Sequence, residues 1–211
     1  MGGKMVALVA ASDFNSRYFA KQLDAGVYAA VVAVDGGYAH LQAIDCIPDV
    51  SIGDFDSLGY VPEGDNVIVH PSHKDESDLE LALDYVRSRG FESVDVYGAL
   101  GGRLDHSMAS VQTCAWFAEQ GMRVRLVDVD CAVSILVGPG TLDLPLLDAG
   151  TVSVFSAVDE SRGVSEGGME YPLENAILTN RVIRGLSNEL IGQPAHVSVE
   201  DGTLYVFHPI D

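Results

Sequence analysis

The segment Gly53-Asp54-Phe55-Asp56-Ser57 follows an apolar run and places two carboxylates two positions apart. From one turn, Asp54 and Asp56 can both face a hard cation such as Mg²⁺, which prefers oxygen ligands and keeps waters and phosphate oxygens around it. An Asp-rich turn held only by local hydrogen bonds would explain the same residues without a metal. The segment is therefore a candidate metal site whose structural alternative stays open.

A second acidic segment, Lys74-Asp75-Glu76-Ser77-Asp78, opens a predicted helix. Asp75 and Asp78 are three positions apart, so both can point from one helix face towards a common ion. Acidic residues also favour a helix N-terminus, and Ser77 or Asp78 could simply be its cap. This structural explanation accounts less well for Lys74, a cation beside three acids, which suits a site that binds both metal and phosphate.

A glycine-rich loop, Gly98–His106, joins a predicted strand to a predicted helix. The backbone N–H groups of such a loop suit an anionic phosphate, so Gly101 and Gly102 are candidate contacts. Arg103 adds a planar cationic fork for phosphate oxygens. The loop has neither the Gly-Lys-Ser/Thr of a Walker P-loop nor the GxGxxG of dinucleotide-binding proteins. His106 could be catalytic, but a histidine early in a helix is more often a packing or capping residue.

The segment Asp35-Gly36-Gly37 directly follows another apolar run. Gly36 and Gly37 would let the backbone approach a ligand closely, and Asp35 could bind a ribose hydroxyl. An ordinary strand-to-helix turn is the alternative. All four segments nonetheless map to one edge of one predicted sheet, and a metal–phosphate site needs their acids, cations and glycine-rich turns together.

The elements that must position these segments alternate along the first part of the chain. Apolar runs predict buried parallel strands at residues 6–10, 29–34, 94–97 and 124–127. Helices are predicted over residues 15–25, from Ser77 to Gly90, and from an N-cap at Asp105 to Gly121 with Met108, Val111 and Ala115 on one apolar face. This alternation predicts an open α/β sheet, in which ligands gather at the carboxyl ends of the strands.

Beyond about residue 130 the pattern changes to short strand-like pieces. They lie at residues 132–137, 151–157, 180–184, 196–199 and 203–207. Turn signals such as Gly138-Pro139-Gly140 separate them, and no helix of useful length is predicted. The pattern predicts a small antiparallel β domain, either a sandwich or a barrel. The predicted boundary divides an α/β domain at residues 1–130 from a β domain at residues 131–211.

The chain has 211 residues and a formal net charge of −19, because it contains 12 Lys and Arg residues and 31 Asp and Glu residues. Such a surface repels phosphate backbones, so we expect no nucleic-acid partner, and a nucleotide site must recruit its cations locally. The three cysteines lie far apart and form no CxxC pair. This spacing is typical of neither a zinc site nor a disulfide framework. Without a signal-peptide pattern or an apolar run of about 18 residues, we expect a soluble cytoplasmic protein with no membrane partner.

The order and spacing of these segments resemble the thiamine pyrophosphokinase family over most of the chain. The similar segments are Asp35–Gly37, Pro48-Asp49 leading into Gly53–Ser57, Lys74–Ala82, Gly98–His106, Tyr171–Asn175 and Gly185–Glu189. The resemblance implies a Rossmann-like α/β domain that binds ATP, followed by a β-sandwich domain that helps to hold thiamine. It also implies a homodimer, with thiamine between the catalytic residues of one subunit and the β domain of the other.

Carried over to this sequence, the resemblance implies contacts with Mg²⁺ and the substrates from Asp54, Asp56, Asp75 and Asp78. Arg103 and Asp105 would belong to the nucleotide loop, and Arg103 would share in catalysis. Ser187 and Asn188 would contact thiamine. One departure is Ser77, where the family has threonine, and the serine keeps the hydroxyl.

The reaction then expected is transfer of the terminal diphosphate of ATP to the thiamine hydroxyl, through attack on the β-phosphorus with AMP as leaving group. Two other interpretations stay open. One is a different Mg²⁺-dependent phosphotransferase or phosphatase, because Asp-x-Asp after an apolar run also suits haloacid-dehalogenase-like phosphatases. Those enzymes need a nucleophilic Asp directly at the strand end, whereas Gly53 intervenes here. A non-catalytic thiamine or nucleotide sensor would bind its ligand without turnover.

Overall fold

The computed structural model describes residues 5–71 and 75–210, and the chain divides into two units. The first unit contains the residues up to Thr113 together with Gly121–Val129. The second contains Cys114–Gln120 together with the residues from Asp130 onward. None of the helices within the described ranges has the length and apolar character needed to cross a membrane.

Strands and helices alternate in the first unit. Its strands are β1 (Met5–Val9), β2 (Tyr28–Val34), β3 (Val50–Gly53), β4 (Val67–Val69), β5 (Ser93–Tyr97) and β6 (Arg123–Val127). Its helices are α1 (Ser16–Asp24), α2 (Gly37–Gln42), α3 (Asp78–Ser88) and α4 (Leu104–Glu119), the last of which groups with the second unit from Cys114 onward. The predicted α/β fold is confirmed, and β4 and α2 are elements that the sequence patterns did not predict.

All the strands of the first unit pair in parallel, in the order β6-β5-β1-β2-β3-β4. Residues Val6–Val9 of β1 are inaccessible to solvent. The chain order reverses at β1, because β2 lies on one side of it and β5 on the other. Ligands of open α/β sheets bind outside the carboxyl ends of the strands at such a reversal. The topology therefore directs attention to the loops that follow β1, β2, β3 and β5.

Side-chain caps and one apolar stripe explain where α1 and α3 form. Asn15 Oδ1 accepts a hydrogen bond from Tyr18 N at 2.9 Å and caps α1. Ser77 Oγ accepts one from Glu80 N at 3.2 Å and caps α3, whose first turn carries acids that the helix dipole favours. The apolar positions of α3 are buried, as predicted: Leu79, Ala82, Leu83 and Val86.

The start and the apolar face of α4 differ from the prediction. The helix begins at Leu104, so Asp105 lies in its first turn and is not the N-cap. The carboxylate of Asp105 is paired with the guanidinium of Arg103, which competes with a capping role. Met108 was predicted on the buried face and is 55% exposed. The buried residues of α4 lie further along, at Cys114, Ala115, Phe117 and Ala118.

Short strands make up most of the second unit. They are β7 (Cys131–Val137), β8 (Gly140–Asp143), β9 (Thr151–Ser156), β10 (Glu160–Gly167), β11 (Leu173–Thr179), β12 (Gly185–Glu189), β13 (His196–Val199) and β14 (Thr203–Pro209). One antiparallel layer has the order β12-β9-β14-β7 and the other β11-β10-β13-β8. Buried residues from both layers form one core, which includes Val152, Val154, Val164, Leu178, Val197, Val199, Leu204 and Val206. Two layers around one core make a sandwich and resolve the open choice between sandwich and barrel.

The strand predicted at residues 180–184 is wrong. This segment connects β11 to β12, and its side chains Val182 and Ile183 are 62% and 57% exposed. Thr179 Oγ1 accepts hydrogen bonds from the backbone N–H groups of Arg181 and Val182, at 3.4 and 3.2 Å, which turns the chain at the end of β11. The apolar pair therefore lies in a connection, although its composition is typical of a strand.

Candidate active site

A cavity of about 580 Å³ opens within the first unit, at the carboxyl ends of β1, β2, β3 and β5. Its lining consists of Ala10, Ala11, Ser12, Val34, Asp35, Asp54, Asp56, Ser57, Glu76, Ser77, Asp78, Leu79, Gly98, Ala99, Arg103, His106, Ala109 and Ser110. All four segments singled out in the sequence contribute to this lining. A volume of this order is typical of small-molecule sites.

Asp35, Asp54 and Asp78 form a carboxylate cluster in this cavity, which we call the carboxylate trio. One carboxylate oxygen from each residue lies within 4.8 Å of those of the other two, and all three residues are half-buried. Three anions this close repel one another unless a cation lies between them. Oxygens on opposite sides of one Mg²⁺ are about 4 Å apart, so the spacing suits a divalent ion after a small adjustment.

The hydrogen bonding of Asp35 supports a cation at the trio. Asp35 Oδ2 accepts a hydrogen bond from Ser57 Oγ at 2.6 Å. Asp35 Oδ1 is shielded from solvent and has no hydrogen-bond partner among the described residues. A buried carboxylate oxygen without a partner carries a desolvation cost that a metal ion would remove. The residues present therefore fit a hard divalent cation.

The backbone around Asp35 is held in an uncommon conformation. Its φ is +46°, a left-handed value that is rare for a residue with a side chain. Its N–H donates to Ile52 O at 2.8 Å, which ties it to the neighbouring strand. A Cβ at Gly53 would lie 2.9 Å from the Cα of Asp35, so only glycine fits there. The sequence reasoning placed Asp35 in the nucleotide site and did not group it with the metal ligands.

Gly36 and Gly37 are buried and do not line the cavity. A Cβ at Gly37 would overlap the carbonyl oxygen of Val9, at 1.8 Å. The glycine pair therefore allows the start of α2 to pack against the end of β1. Its close backbone approach in the structure is to a strand, and the predicted contact of Gly36 and Gly37 with a ligand stays a prediction.

The structure does not bring Asp56 and Asp75 into the carboxylate trio. Asp56 is exposed at the cavity wall, where its backbone N–H donates to Asp54 Oδ1 at 3.1 Å, as in an Asx turn. Phe55 between the two acids is buried and has a φ of +58°, so the turn points their side chains differently. Asp75 is exposed and outside the lining. The metal-binding roles assigned to Asp56 and Asp75 stay predictions. So does the nucleotide-binding role of Lys74, which lies outside the described residues.

The glycine-rich loop is joined by hydrogen bonds to residues 10–13, which follow β1 and which the sequence reasoning missed. Ser12 N donates to Gly98 O at 2.7 Å, and Asp13 N donates to Leu100 O at 3.2 Å. Ser12 Oγ donates to Gly101 O at 3.1 Å. Gly101 and Gly102 themselves lie outside the cavity lining. The short side chains of Ala10-Ala11-Ser12 were the available signal, because they permit such close pairing.

Arg103 lines the cavity and forms a bidentate ion pair with Asp105. Arg103 Nε donates to Asp105 Oδ1 at 3.1 Å, and a terminal guanidinium nitrogen donates to Oδ2 at 2.6 Å. Both side chains are exposed, at 69% and 64%. The hydrogen bonds from Arg103 lower the pKa of Asp105 from its ordinary value of 3.8 to about 2. The pair holds the guanidinium fork in one orientation at the edge of the cavity.

The two residues predicted to contact thiamine belong to β12 in the second unit. Ser187 is exposed, with a φ of +60°, and its N–H donates to Ser153 Oγ at 3.0 Å. Asn188 is buried and its amide is fully used within the unit. Asn188 Nδ2 donates to Glu166 Oε2 at 2.7 Å and to Tyr171 O at 2.9 Å, and its Oδ1 accepts from Tyr171 N and Glu189 N. The side chain of Asn188 therefore orders this part of the sandwich.

Comparison with known proteins relates both units to one family. Residues 28–126 match the family model described as "Thiamin pyrophosphokinase, catalytic domain". A thiamine pyrophosphokinase of Bacillus subtilis is 26% identical over 187 residues, which cover 85% of this chain and 87% of that protein. Thiamin pyrophosphokinase 1 of Caenorhabditis elegans is 27% identical over 152 residues, which cover 68% of this chain and 63% of that protein.

Solved structures agree over the whole chain. The crystal structure of a thiamine pyrophosphokinase from Bacillus subtilis has a TM-score of 0.81 at 24% identity, covering 99% of this chain and 100% of that one. That of a thiamin pyrophosphokinase from Geobacillus thermodenitrificans has a TM-score of 0.77 at 26% identity, covering 98% of each chain. A parallel α/β unit with clustered carboxylates and a glycine-rich loop at one sheet edge, together with a β-sandwich unit, defines a transferase of the pyrophosphokinase class. Over both units the chain is similar to the thiamine pyrophosphokinase family.

Proposed function

We propose that this protein transfers the terminal diphosphate of ATP to the hydroxyl of thiamine, giving thiamine diphosphate and AMP. Similarity to the thiamine pyrophosphokinase family supports this reaction. The observation that carries the proposal is the carboxylate trio beside a glycine-rich loop and Arg103. Within the part of the chain that the structure describes, the buried Oδ1 of Asp35 has no hydrogen-bond partner. This combination suits a nucleotide that arrives with a divalent cation.

Asp35, Asp54 and Asp78 would hold Mg²⁺ in this proposal. The ion would neutralise phosphate oxygens during diphosphate transfer. Asp35 and Asp54 follow adjacent strands, and Asp78 begins α3, so backbone hydrogen bonds fix all three positions before the ligand binds. Asp56 and Glu76 also line the cavity and add negative charge next to the trio. This acidic lining requires that ATP bind with its cation, because free ATP would be repelled.

Arg103 and the glycine-rich loop would bind the phosphates. The backbone of Gly98 and Ala99 lines the cavity next to Arg103. The guanidinium group of Arg103 is already oriented by Asp105, and its remaining N–H groups can donate to phosphate oxygens. Preorganised donors of this kind stabilise charge that develops in the transition state.

Deprotonation of the thiamine hydroxyl would fall to an acid near the start of α3. Asp78 lines the cavity and Asp75 lies just before it in the chain. A carboxylate is a weak base towards a hydroxyl group, so orientation of the hydroxyl contributes more than proton removal. Ser187 and Asn188 as thiamine contacts and the homodimer stay predictions that follow from the family resemblance. The cytoplasmic location stays a prediction from the sequence pattern.

A phosphatase with an Asp-x-Asp site is the second candidate, and one observation bears on it. Gly53 is the last residue of β3, so Asp54 directly follows the strand. The intervening glycine therefore does not argue against a nucleophilic Asp54, contrary to the expectation from sequence. The family match favours pyrophosphoryl transfer over this alternative.

Product analysis tests the proposal. Purified protein is incubated with ATP, Mg²⁺ and thiamine, with and without chelator, and the nucleotides and thiamine species are quantified. We expect equal amounts of AMP and thiamine diphosphate, both lost on chelation and both lost in Asp54→Asn. ADP as the nucleotide product would indicate an ordinary kinase, and free phosphate without thiamine dependence would indicate a phosphatase.

A further inference from the structure

His40 contacts the loop that follows β1, although it belongs to α2. Its Nε2 lies 2.8 Å from Ser12 O and 3.3 Å from Ala11 O. Both neighbours are carbonyl oxygens, which only accept hydrogen bonds, so Nε2 carries a hydrogen and donates. The imidazole also packs against the ring of Phe14, with centroids 5.1 Å apart and an interplanar angle of 32°.

The loop that His40 holds is the loop that supports the glycine-rich segment. Ala11 and Ser12 line the cavity. Ser12 donates through its backbone N–H to Gly98 O and through its hydroxyl to Gly101 O, at 2.7 and 3.1 Å. A displacement of Ser12 would therefore move the carbonyl groups of the glycine-rich loop with it.

The same histidine is joined by a short stretch of chain to the carboxylate trio. His40 lies on the helix that begins directly after Asp35 and Gly36. Gly37 packs against Val9 at the end of β1, so α2 has little freedom to shift relative to that strand. One imidazole thus links the segment that carries Asp35 to the segment that positions the phosphate loop.

We infer that His40 is a positioning residue that fixes the glycine-rich loop relative to the carboxylate trio, through its hydrogen bonds to residues 11–12. The inference rests on the proposed function, in which the trio binds the metal and the loop binds the phosphates of the same nucleotide. Loss of the imidazole leaves the metal ligands in place but loosens the glycine-rich loop, and Arg103 with it. The nucleotide then binds more weakly, whereas contacts with thiamine are unaffected.

Steady-state kinetics of His40→Ala, His40→Gln and Gln42→Ala test this role. The glutamine amide can donate from a place close to Nε2, and Gln42 is a control on the same helix outside the cavity lining. We expect His40→Ala to raise KM for Mg·ATP about tenfold, the order of effect of one or two lost hydrogen bonds, with KM for thiamine unchanged. His40→Gln should recover most of this loss, and Gln42→Ala should match the wild type. Ser12→Ala, which removes the next hydrogen bond in the chain, should raise the same KM if His40→Ala does not fold.

Amide hydrogen exchange provides a readout that needs no turnover. In the ligand-free protein we expect the N–H groups of Ser12 and Asp13 to exchange faster in His40→Ala, and at the wild-type rate in His40→Gln and Gln42→Ala. Wild-type exchange and a wild-type KM for Mg·ATP in His40→Ala would overturn the inference. So would an equal rise of KM in His40→Gln. A wild-type protein that makes no AMP from ATP and thiamine would refute the proposed function, and the exchange rates would still decide the role of His40.

Discussion

The backbone of Asp35 passes so close to Gly53 that a methyl group at position 53 would lie 2.9 Å from the Cα of Asp35. This contact joins the end of β2 to the end of β3 and sets the distance between two members of the carboxylate trio. Gly53 is therefore part of the candidate metal site, although it has no side chain to offer a ligand. Substitutions at this position should affect folding and metal binding together.

Gly53→Ala should lower the free energy of unfolding by about 1–3 kcal/mol, because the added methyl overpacks a rigid backbone contact. It should also weaken Mg²⁺ binding, because Asp35 must move. Gly64→Ala is a matched control, since Gly64 has a similar φ of +142° and none of the described residues lies within 4 Å of an added Cβ. Denaturant unfolding and Mg²⁺ titration measure both effects. Equal losses in the two variants would mean that backbone conformation, and not contact with Asp35, is responsible.

Asp35→Asn should abolish Mg²⁺-dependent turnover and at the same time stabilise the metal-free protein. The substitution removes one of three neighbouring negative charges, and asparagine tolerates the left-handed conformation of residue 35. We expect a gain of about 0.5–1 kcal/mol in the absence of metal and no further gain when Mg²⁺ is added. Thermal unfolding with and without Mg²⁺ measures this.

A parallel Asp75→Asn variant separates the trio from the ligand set predicted by sequence spacing. Asp75 lies outside the trio and the cavity lining, so this variant should keep a larger share of Mg²⁺ affinity than Asp35→Asn. The opposite ranking of the two affinities would return the metal site to the spacing-based assignment.

Asp105 should titrate far below an ordinary aspartate, with a pKa of about 2, because Arg103 donates two hydrogen bonds to its carboxylate. A folded-state pKa below the ordinary 3.8 means that the pair stabilises the protein above that pH and that the contribution is lost as pH falls towards 2. Carboxyl NMR titration measures the value directly. Arg103→Gln should return the pKa of Asp105 towards 3.8, and an ordinary value in the wild type would contradict the bidentate pair.

Glu166→Gln should stabilise the protein at neutral pH by about 1 kcal/mol, the order of cost of one unpaired buried polar atom. Glu166 is 1% exposed, and its Oε1 has no hydrogen-bond partner among the described residues. Burial raises its pKa above the ordinary 4.5, although the hydrogen bond from Asn188 opposes the shift.

The sign of the pH dependence at Glu166 follows from that raised pKa. The folded protein binds this proton more tightly than the unfolded chain, so the stabilising contribution is complete below pH 4.5 and is lost as pH rises through the folded-state pKa. Denaturant unfolding of the wild type and of Glu166→Gln measures this across the pH range. The free energy of unfolding of Glu166→Gln should be higher than that of the wild type at neutral pH and equal to it in acid. A constant difference at every pH would exclude titration of Glu166 as the cause.

Local patterns predicted the segments of the candidate site, but not which side chains meet. The apolar runs and glycine-rich turns correctly placed Asp54, Asp78 and Arg103 after strands or at helix starts. Asp35 joins the trio because β2 and β3 are neighbours in the sheet. The local periodicity of a sequence does not predict the order of parallel strands. Asp56 lines the cavity outside the trio, after Phe55, whose positive φ its residue type did not indicate.

Local patterns also failed to predict some of the strands of the sandwich. Strands β10 and β12 contain glycine, serine and glutamate, which do not favour strand structure. These two strands form because they pair with neighbouring strands. The apolar residues of 180–184 gave a stronger local signal and lie in a connection. Pairing across the sheet, which involves distant parts of the chain, decided both cases.

The position of β1 between β2 and β5 has a consequence for the spacing within the candidate site. Asp35 follows β2 and the glycine-rich loop follows β5. The ends of these two strands are separated by two strand spacings, about 10 Å. Main-chain hydrogen bonds between the strands set this distance, so side-chain substitutions change it little. In the proposed function, this spacing fixes how far apart the metal ligand Asp35 and the glycine-rich loop lie along the charged chain of the nucleotide.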